Sequence, residues 1–189
     1  MTFNDMPTEN SKFLQSLKLS PISQIGIVVE NIHKAAAYYG ALLNIRNWFI
    51  PNVKSDECFY KGKAIKQKLE FIIGYSGKTQ IELIAQECDE ENIYNFVLGR
   101  NSFGLHHLGV TVSNLEKKLE EIKKIGIQPL QTGIIHTGSG ITTYAYLDTR
   151  EQAGFIFELI ESKAFGFSIG MPQWLMKLGA LTGDTTTLS

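Results

Sequence analysis

The sequence predicts an α+β fold of two tandem βαβββ modules, with helices on the outer face of the strands and a polar-centred cavity inside. Three observations predict it. One pattern opens each half, a second closes each half, and strand-like alternation fills the stretch between them. Internal repetition is read first, because two copies of one unit constrain the whole architecture.

The opening pattern is Gln24-Ile-Gly-Ile-Val-Val-Glu-Asn-Ile32, matched by His107-Leu-Gly-Val-Thr-Val-Ser-Asn-Leu115 at an offset of 83 residues. Each copy starts with a side chain able to bind a metal, continues apolar-Gly-apolar, and ends in Asn before an aliphatic residue. A helix follows each, over 31–43 and 114–125. Asn31 and Asn114 are suited to cap them, since a side-chain oxygen accepts from a first-turn amide. Asn44 and Gly126 suit the left-handed residue that closes a helix.

The closing pattern is Gln80-Ile-Glu82-Leu-Ile84, matched by Ile156-Phe-Glu158-Leu-Ile160 at an offset of 76 residues, so the second half is a few residues shorter between its landmarks. Strands are expected over 46–53, 67–75 and 79–85, then over 128–134, 141–147 and 154–160. Gly74, Ser76 and Gly77 suggest a tight turn. Alternation then assigns faces. Ile25, Ile27 and Val29 share one side of the first strand, and Leu108, Val110 and Val112 share one side of its counterpart. Ile81 and Leu83 flank Glu82, as Phe157 and Leu159 flank Glu158. Each of these strands therefore has an apolar face for a helix and an opposite face carrying one polar residue, with Gly26 and Gly109 leaving room beside it. The chain divides into an N-terminal extension (1–20), a first module with a connecting helix (21–100), a second module (101–161) and a tail (162–189).

Bulk properties narrow the function. A 189-residue chain with 43% hydrophobic residues can fill an interior, and a net charge of -1 offers no footprint for nucleic acid. No apolar run approaches the roughly 20 residues that span a bilayer. Met1 to Ser20 lacks the apolar core of a signal peptide. Cys58 and Cys88 form no metal-ligand pair and read as free thiols of a reducing cytoplasm. The expected partner is a small molecule, in a cytoplasmic protein that touches neither membrane nor nucleic acid.

Gln24-Ile-Gly-Ile-Val-Val, Lys34-Ala-Ala-Ala-Tyr-Tyr39, Glu82-Leu-Ile, Leu105-His-His-Leu-Gly109 and Phe157-Glu-Leu-Ile160 together resemble the vicinal oxygen chelate superfamily, over roughly 22–161. That family includes glyoxalase I, methylmalonyl-CoA epimerase, extradiol dioxygenases and fosfomycin-resistance proteins, and the resemblance implies that the two βαβββ modules curl into one cupped mixed β-sheet with its helices on the outer face. The resemblance implies one divalent metal ion held by Gln24, Glu82, His107 and Glu158. It is His107, not His106, that aligns with Gln24 by the glycine two residues later. Two carboxylates, an imidazole and an amide oxygen accept Zn, Ni, Co, Mn or Fe. The resemblance further implies a homodimer and a lyase or isomerase that stabilises an enolate or enediolate. Glu158 first, and Glu82 second, would be the catalytic base. Val28 stands where glyoxalase-type enzymes place an arginine for the glutathione carboxylate, and Gln24 stands where epimerases place a histidine. Two alternatives remain: a non-haem iron dioxygenase, and a binding or resistance protein without turnover.

Other residues read more plainly. His106 is expected on the opposite strand face from His107, as a packing or supporting residue, and His33 in solvent. His136 lies in a Gly-rich stretch, 133–140, expected to form a mobile lip. Tyr144 and Tyr146 share a face that either lines the cavity or packs the sheet. The tail, with Phe165, Phe167, Ile169, Met171, Trp174 and Leu178, is too apolar to hang free, and Pro172 suits a helix start. It is expected over the cup or in a dimer contact. The acidic run 87–91 is expected to lead into the connecting helix.

Overall fold

The computed structural model describes residues 15, 17–86, 92–95, 103–138, 140–164 and 166–188. The first half runs β1 (Gln24–Val28), α1 (Ile32–Leu43), β2 (Trp48–Pro51), β3 (Ser55–Tyr60), β4 (Lys63–Ala64), β5 (Leu69–Ser76) and β6 (Thr79–Gln86). A 3-10 turn, Ile93–Asn95, precedes β7 (Gly104–Thr111), α2 (Leu115–Lys123), β8 (Pro129–His136), β9 (Gly140–Leu147), α3 (Arg150–Ala153) and β10 (Ile156–Ala164). The tail holds β11 (Phe167–Ser168), α4 (Gln173–Thr182) and β12 (Thr185–Leu188).

All the strands join one mixed sheet in the order β12-β2-β5-β6-β1-β7-β10-β9-β8-β3-β4, with β11 on β10. The repeats are visible in that order. Moving outward from the central β1–β7 pair, β6, β5 and β2 answer β10, β9 and β8. This is the α+β arrangement of two βαβββ modules that the repeated patterns predict, joined in the cupped mixed sheet that the family resemblance implies.

Each helix forms where its cap allows and packs on its own half. Asn31 accepts from Lys34 N at 2.9 Å, and Asn44, at φ 54, ends α1. Ile32 and Ala36 of α1 bury against Ile27, Ile81 and Leu83. Asn114 accepts from Lys117 N at 3.2 Å, and Leu115 and Ile122 of α2 bury against Val110, Ala145 and Leu159. Burying an Ile or Leu side chain contributes about 1.5–3 kcal/mol, so these two outer cores hold the sheet curved around its inner face. Helix α2 ends at Lys123, and Gly126 follows at φ 83.

Several expectations change. Gly74 is not a turn residue: it lies within β5, and a Cβ there would come within 2.6 Å of Ile45 and 2.8 Å of the Trp48 ring. The turn belongs to Gly77, at φ 62. Residues 55–64 form a hairpin that leaves the first half and pairs β3 with β8, from Ser55↔His136 to Tyr60↔Gln131. That pairing makes 133–136 strand rather than a mobile lip. The acidic run 87–91, Cys88 and Phe165 lie outside the described residues.

The tail runs from one half to the other. Its β11 pairs β10, its β12 pairs β2, and Met176 of α4 is buried with Phe49, Ile73 and Tyr75. Among the described residues no helix is long and apolar enough to cross a membrane.

Candidate metal centre

The central strand pair sets the site. In the β1–β7 register Gln24 faces Gly109 and Gly26 faces His107. On the outer side of β1, Glu82 lies next to Gly26, and on the outer side of β7, Glu158 lies next to Gly109. Four polar side chains thus surround two glycines, each glycine yielding its space to side chains of both halves. A Cβ on Gly26 would fall inside the His107 ring, and one on Gly109 would lie 2.9 Å from Gln24 Oε1.

The four predicted residues are brought together on a single nitrogen. His107 Nε2 is 3.1 Å from Gln24 Oε1, 3.1 Å from Glu158 Oε2 and 3.5 Å from Glu82 Oε2. His107 is fully buried; Gln24 and Glu158 are also buried, and the Glu82 side chain is only 14% exposed. Glu158 Oε2 has no hydrogen-bond partner other than the imidazole beside it.

The protons in this cluster can be worked out from its periphery. His106 Nε2 lies 3.1 Å from the Ile93 carbonyl oxygen, which can only accept, so Nε2 carries hydrogen. Burial, then the neighbouring His107, pushes His106 down to about 3, so it is neutral and its Nδ1 offers a lone pair. His107 Nδ1, 2.8 Å away, must donate to it. A neutral His107 therefore aims the Nε2 lone pair at three oxygens that are themselves acceptors. Something positive has to sit among them.

Without a metal ion that charge is a proton. Burial alone would lower His107, but the Glu158 and Glu82 carboxylates outweigh it and hold the imidazole above its ordinary value. Burial pushes the Glu82 carboxyl up to about 7, with His107 opposing and Glu158 reinforcing the shift. Among the described residues no three His, Cys, Asp or Glu side chains already stand in ligand geometry about a common point. Instead the oxygens lean on the imidazole. The donor set nevertheless fits a divalent cation: four lone-pair donors converge, two of them anionic, and one oxygen is orphaned.

His106 is not on the opposite face. The β1–β7 register slips between Gly26 and Ile27, which pairs with Leu105, leaving His106 as the extra residue of a bulge. The bulge turns it to the same side as His107, stacked on Tyr94 at 4.9 Å. The adjacent His-His pair was legible, the bulge was not. Tyr94, whose hydroxyl lies 3.1 Å from that of Tyr146, was missed outright.

Above the cluster lies a cavity of about 430 Å³, lined by Phe71, Ile73, Tyr94, Tyr144 and Tyr146, with Gln24, Glu82 and Glu158 at its polar end. Residues Ile169–Pro172 of the tail form part of its wall, so both predicted tyrosines and the tail face the same space. Burial keeps all three tyrosines protonated. Cys58 receives the Tyr144 hydroxyl at 3.7 Å, and burial pushes its thiol up to about 11, an unreactive thiol. His33 is exposed, and His136 pairs with Ser55 at the end of β8.

Comparison with known proteins agrees with this geometry. Residues 23–146 match the family model described as Glyoxalase/Bleomycin resistance protein/Dioxygenase superfamily. A hypothetical protein from Bacillus halodurans C-125 has a similar structure, with TM-score 0.56 and 23% identity, covering 78% of this chain and 98% of its own. Methylmalonyl-CoA epimerase from Mycobacterium tuberculosis follows at TM-score 0.52 and 17% identity, covering 75% of this chain and 87% of its own. A variant of the Streptomyces coelicolor methylmalonyl-CoA epimerase, in complex with 2-nitronate-propionyl-CoA, gives TM-score 0.50 and 16% identity over 80% of this chain and 99% of its own. At these identities the likeness is one of fold. No curated protein matches the chain significantly by sequence.

Proposed function

Because this chain belongs to the Glyoxalase/Bleomycin resistance protein/Dioxygenase superfamily, we propose that it is a divalent-metal-dependent lyase or isomerase acting beside a carbonyl. Its substrate would be a small carbonyl compound or an acyl thioester, deprotonated to an enolate or enediolate. The observation that carries this reading is the convergence of Gln24, Glu82, Glu158 and the His107 lone pair on one point, with no hydrogen-bond donor among them when His107 is neutral. Gln24, Glu82, His107 and Glu158 would hold the ion. A bound cation supplies Lewis acidity, stabilising negative charge as it develops on the substrate oxygen.

The protein's own residues then divide the work. Glu158 is the first candidate to take the proton from the carbon beside the carbonyl, because no group other than the His107 imidazole competes for its Oε2. Glu82 is the second candidate for the same base. Tyr94 and Tyr146, neutral and lining the cavity, limit water around the carbanion. Two structural neighbours are named methylmalonyl-CoA epimerases, which supports an acyl thioester as one substrate class to test.

Elemental analysis of the purified protein, followed by turnover assays on hemithioacetals, methylmalonyl-CoA and catechols, tests the reading. One bound transition metal per chain is expected, with isomerisation or epimerisation lost roughly 10²–10⁴-fold in Glu158→Gln. Ring cleavage of a catechol with iron would replace this reading with a dioxygenase. Full activity in a metal-stripped protein would remove it.

A further inference from the structure

Two neutral side chains among the four, His107 and Gln24, have to present the correct atom to an ion. His106 fixes the first. For Gln24 the question is sharper, because its amide carries oxygen and nitrogen at nearly equivalent positions and only the oxygen can bind a cation.

The answer is written across three neighbouring strands. In the sheet register Gln24 on β1 lies beside Gln80 on β6, and Gln80 beside Tyr75 on β5. Gln80 and Gln24 are both 5% exposed, and Tyr75 is 7% exposed. The Tyr75 hydroxyl donates to the main-chain oxygen of Met171 at 2.7 Å. A carbonyl oxygen can only accept, so the direction of every later bond follows from it. Tyr75 Oη, having spent its proton, accepts from Gln80 Nε2 at 3.0 Å. Gln80 Oε1 then faces Gln24 and accepts from Gln24 Nε2. Gln24 Oε1 is left pointing at His107 Nε2, 3.1 Å away. Turning either amide over would put two donors or two acceptors face to face in a buried place.

We propose that Gln80 and Tyr75 are positioning residues for the metal centre, forming a one-way relay that starts on the Met171 carbonyl of the tail and locks the Gln24 amide with its oxygen toward the ion. This rests on the metal-binding reading above. It extends that reading by making the tail part of the site: Met171 belongs to the cavity wall, so the segment over the substrate space and the ligand under it are linked by three hydrogen bonds. Ion binding and seating of the tail then support each other.

The test is a titration of the metal-free full-length protein with Co²⁺ alone, read by visible absorption and by competition with a chelator. Supports of a metal ligand typically change affinity 10–100-fold, and that weakening is expected for Gln80→Leu, with altered cobalt bands. Tyr75→Phe removes the far end and is expected to weaken binding roughly three- to tenfold. Gln80→Glu, protonated in this buried place, keeps an acceptor for Gln24 Nε2 and a donor for Tyr75 Oη, and should bind far better than Gln80→Leu. The double variant Gln80→Leu/Tyr75→Phe should be no weaker than Gln80→Leu alone, because a broken relay cannot be broken twice. In the wild type Co²⁺ should slow amide exchange over 169–176, and less so in Tyr75→Phe.

Wild-type affinity in Gln80→Leu overturns the relay, as does a Gln80→Glu that binds as poorly as Gln80→Leu, which would make the effect one of packing. Losses that multiply in the double variant overturn it too. Equal slowing of exchange in wild type and Tyr75→Phe overturns the link to the tail. A wild type that binds no Co²⁺ sinks the metal reading, and this inference with it, whereas tight wild-type binding with indifferent variants sinks the inference alone.

Discussion

Gln24 and His107 occupy equivalent places 83 residues apart, yet the two halves of the molecule support them differently. Gln24 is held along the sheet, by a row of side chains on successive strands that ends on the tail. His107 is held within its own strand, by a bulge that folds His106 back and anchors it to the Ile93 carbonyl in the segment between the modules. Both supports end on main-chain acceptors outside the repeated patterns. The duplicated unit supplies ligand positions, and the parts that differ between halves supply their orientation. Metal-binding position and metal-binding geometry are thus separable, and substitutions at matched sites should separate them.

The sharpest contrast is between the two glycines. A methyl group on Gly26 would occupy the His107 ring, which is buried and bonded on both sides, so it has nowhere to retreat. A methyl group on Gly109 would meet Gln24 Oε1 and Ile160 Cδ1 at 2.9 Å and Gln24 Cβ at 3.1 Å, so Ile160 gives way easily while Gln24 has to shift by a few tenths of an ångström within its relay. Gly26→Ala is therefore expected to cost about 1–3 kcal/mol of stability through overpacking and to abolish metal binding. Gly109→Ala should weaken binding only about tenfold. Denaturant melts and metal titration of the two variants check this, and equal effects would mean that the halves are more alike than their supports suggest.

The second contrast concerns the bulge. His106→Phe keeps a planar ring against Tyr94 but removes the acceptor for His107 Nδ1. Metal affinity should fall roughly 10–100-fold, and the metal-free protein should lose about 1–3 kcal/mol of stability, because the buried His107 Nδ1–H and the Ile93 carbonyl lose their partner. An unchanged affinity would show that strand packing alone orients His107.

These contrasts also explain what was legible. Gln24, Glu82, His107 and Glu158 could be found because a repeat marks them twice, and strand alternation places them on the face opposite the helix-packing residues. Gly26 and Gly109 were readable for the same reason. His106 was misplaced because a bulge breaks the two-residue period on which facing depends, and no residue type announces it. Gln80 and Tyr75 escaped notice because their role depends on register between strands, set by tertiary pairing. The 55–64 hairpin was overlooked because it pairs with the other half of the chain, a contact with no local signature.

A smaller test compares the helix caps. Asn31 caps α1 from extended backbone, at φ -140, whereas Asn114 caps α2 from the left-handed region, at φ 58. Replacing either with alanine loses a capping bond worth about 1 kcal/mol. At 114 alanine also has to enter a conformation that costs a further ~1 kcal/mol, which asparagine tolerates better. Asn114→Ala should therefore be the more damaging by about 1 kcal/mol in chemical denaturation, and Asn114→Gly should recover that difference.

The smallest expected effect is a pH dependence unique to the second half. Glu161 Oε1 accepts from Asn114 N at 2.7 Å and Oε2 from Leu115 N at 3.3 Å, so a carboxylate sits at the start of α2. At the place in the first half that matches Glu161 by the 76-residue offset stands Ala85. Burial alone would raise the Glu161 carboxyl, but the two amide bonds and Lys163 outweigh it and hold it below the usual carboxylate range. Because the folded value is depressed, the stabilisation is complete above the unfolded value of about 4.3 and disappears as pH falls through the folded one. Glu161→Gln should then be less stable than wild type by roughly 1 kcal/mol at pH 7. That gap should close under acid, below the folded value. The other titrating groups are common to both proteins and cancel in the difference. A gap that stays constant from neutral to acid pH would mean that the charge of Glu161 does nothing for α2, and that both helices start on their asparagine caps alone.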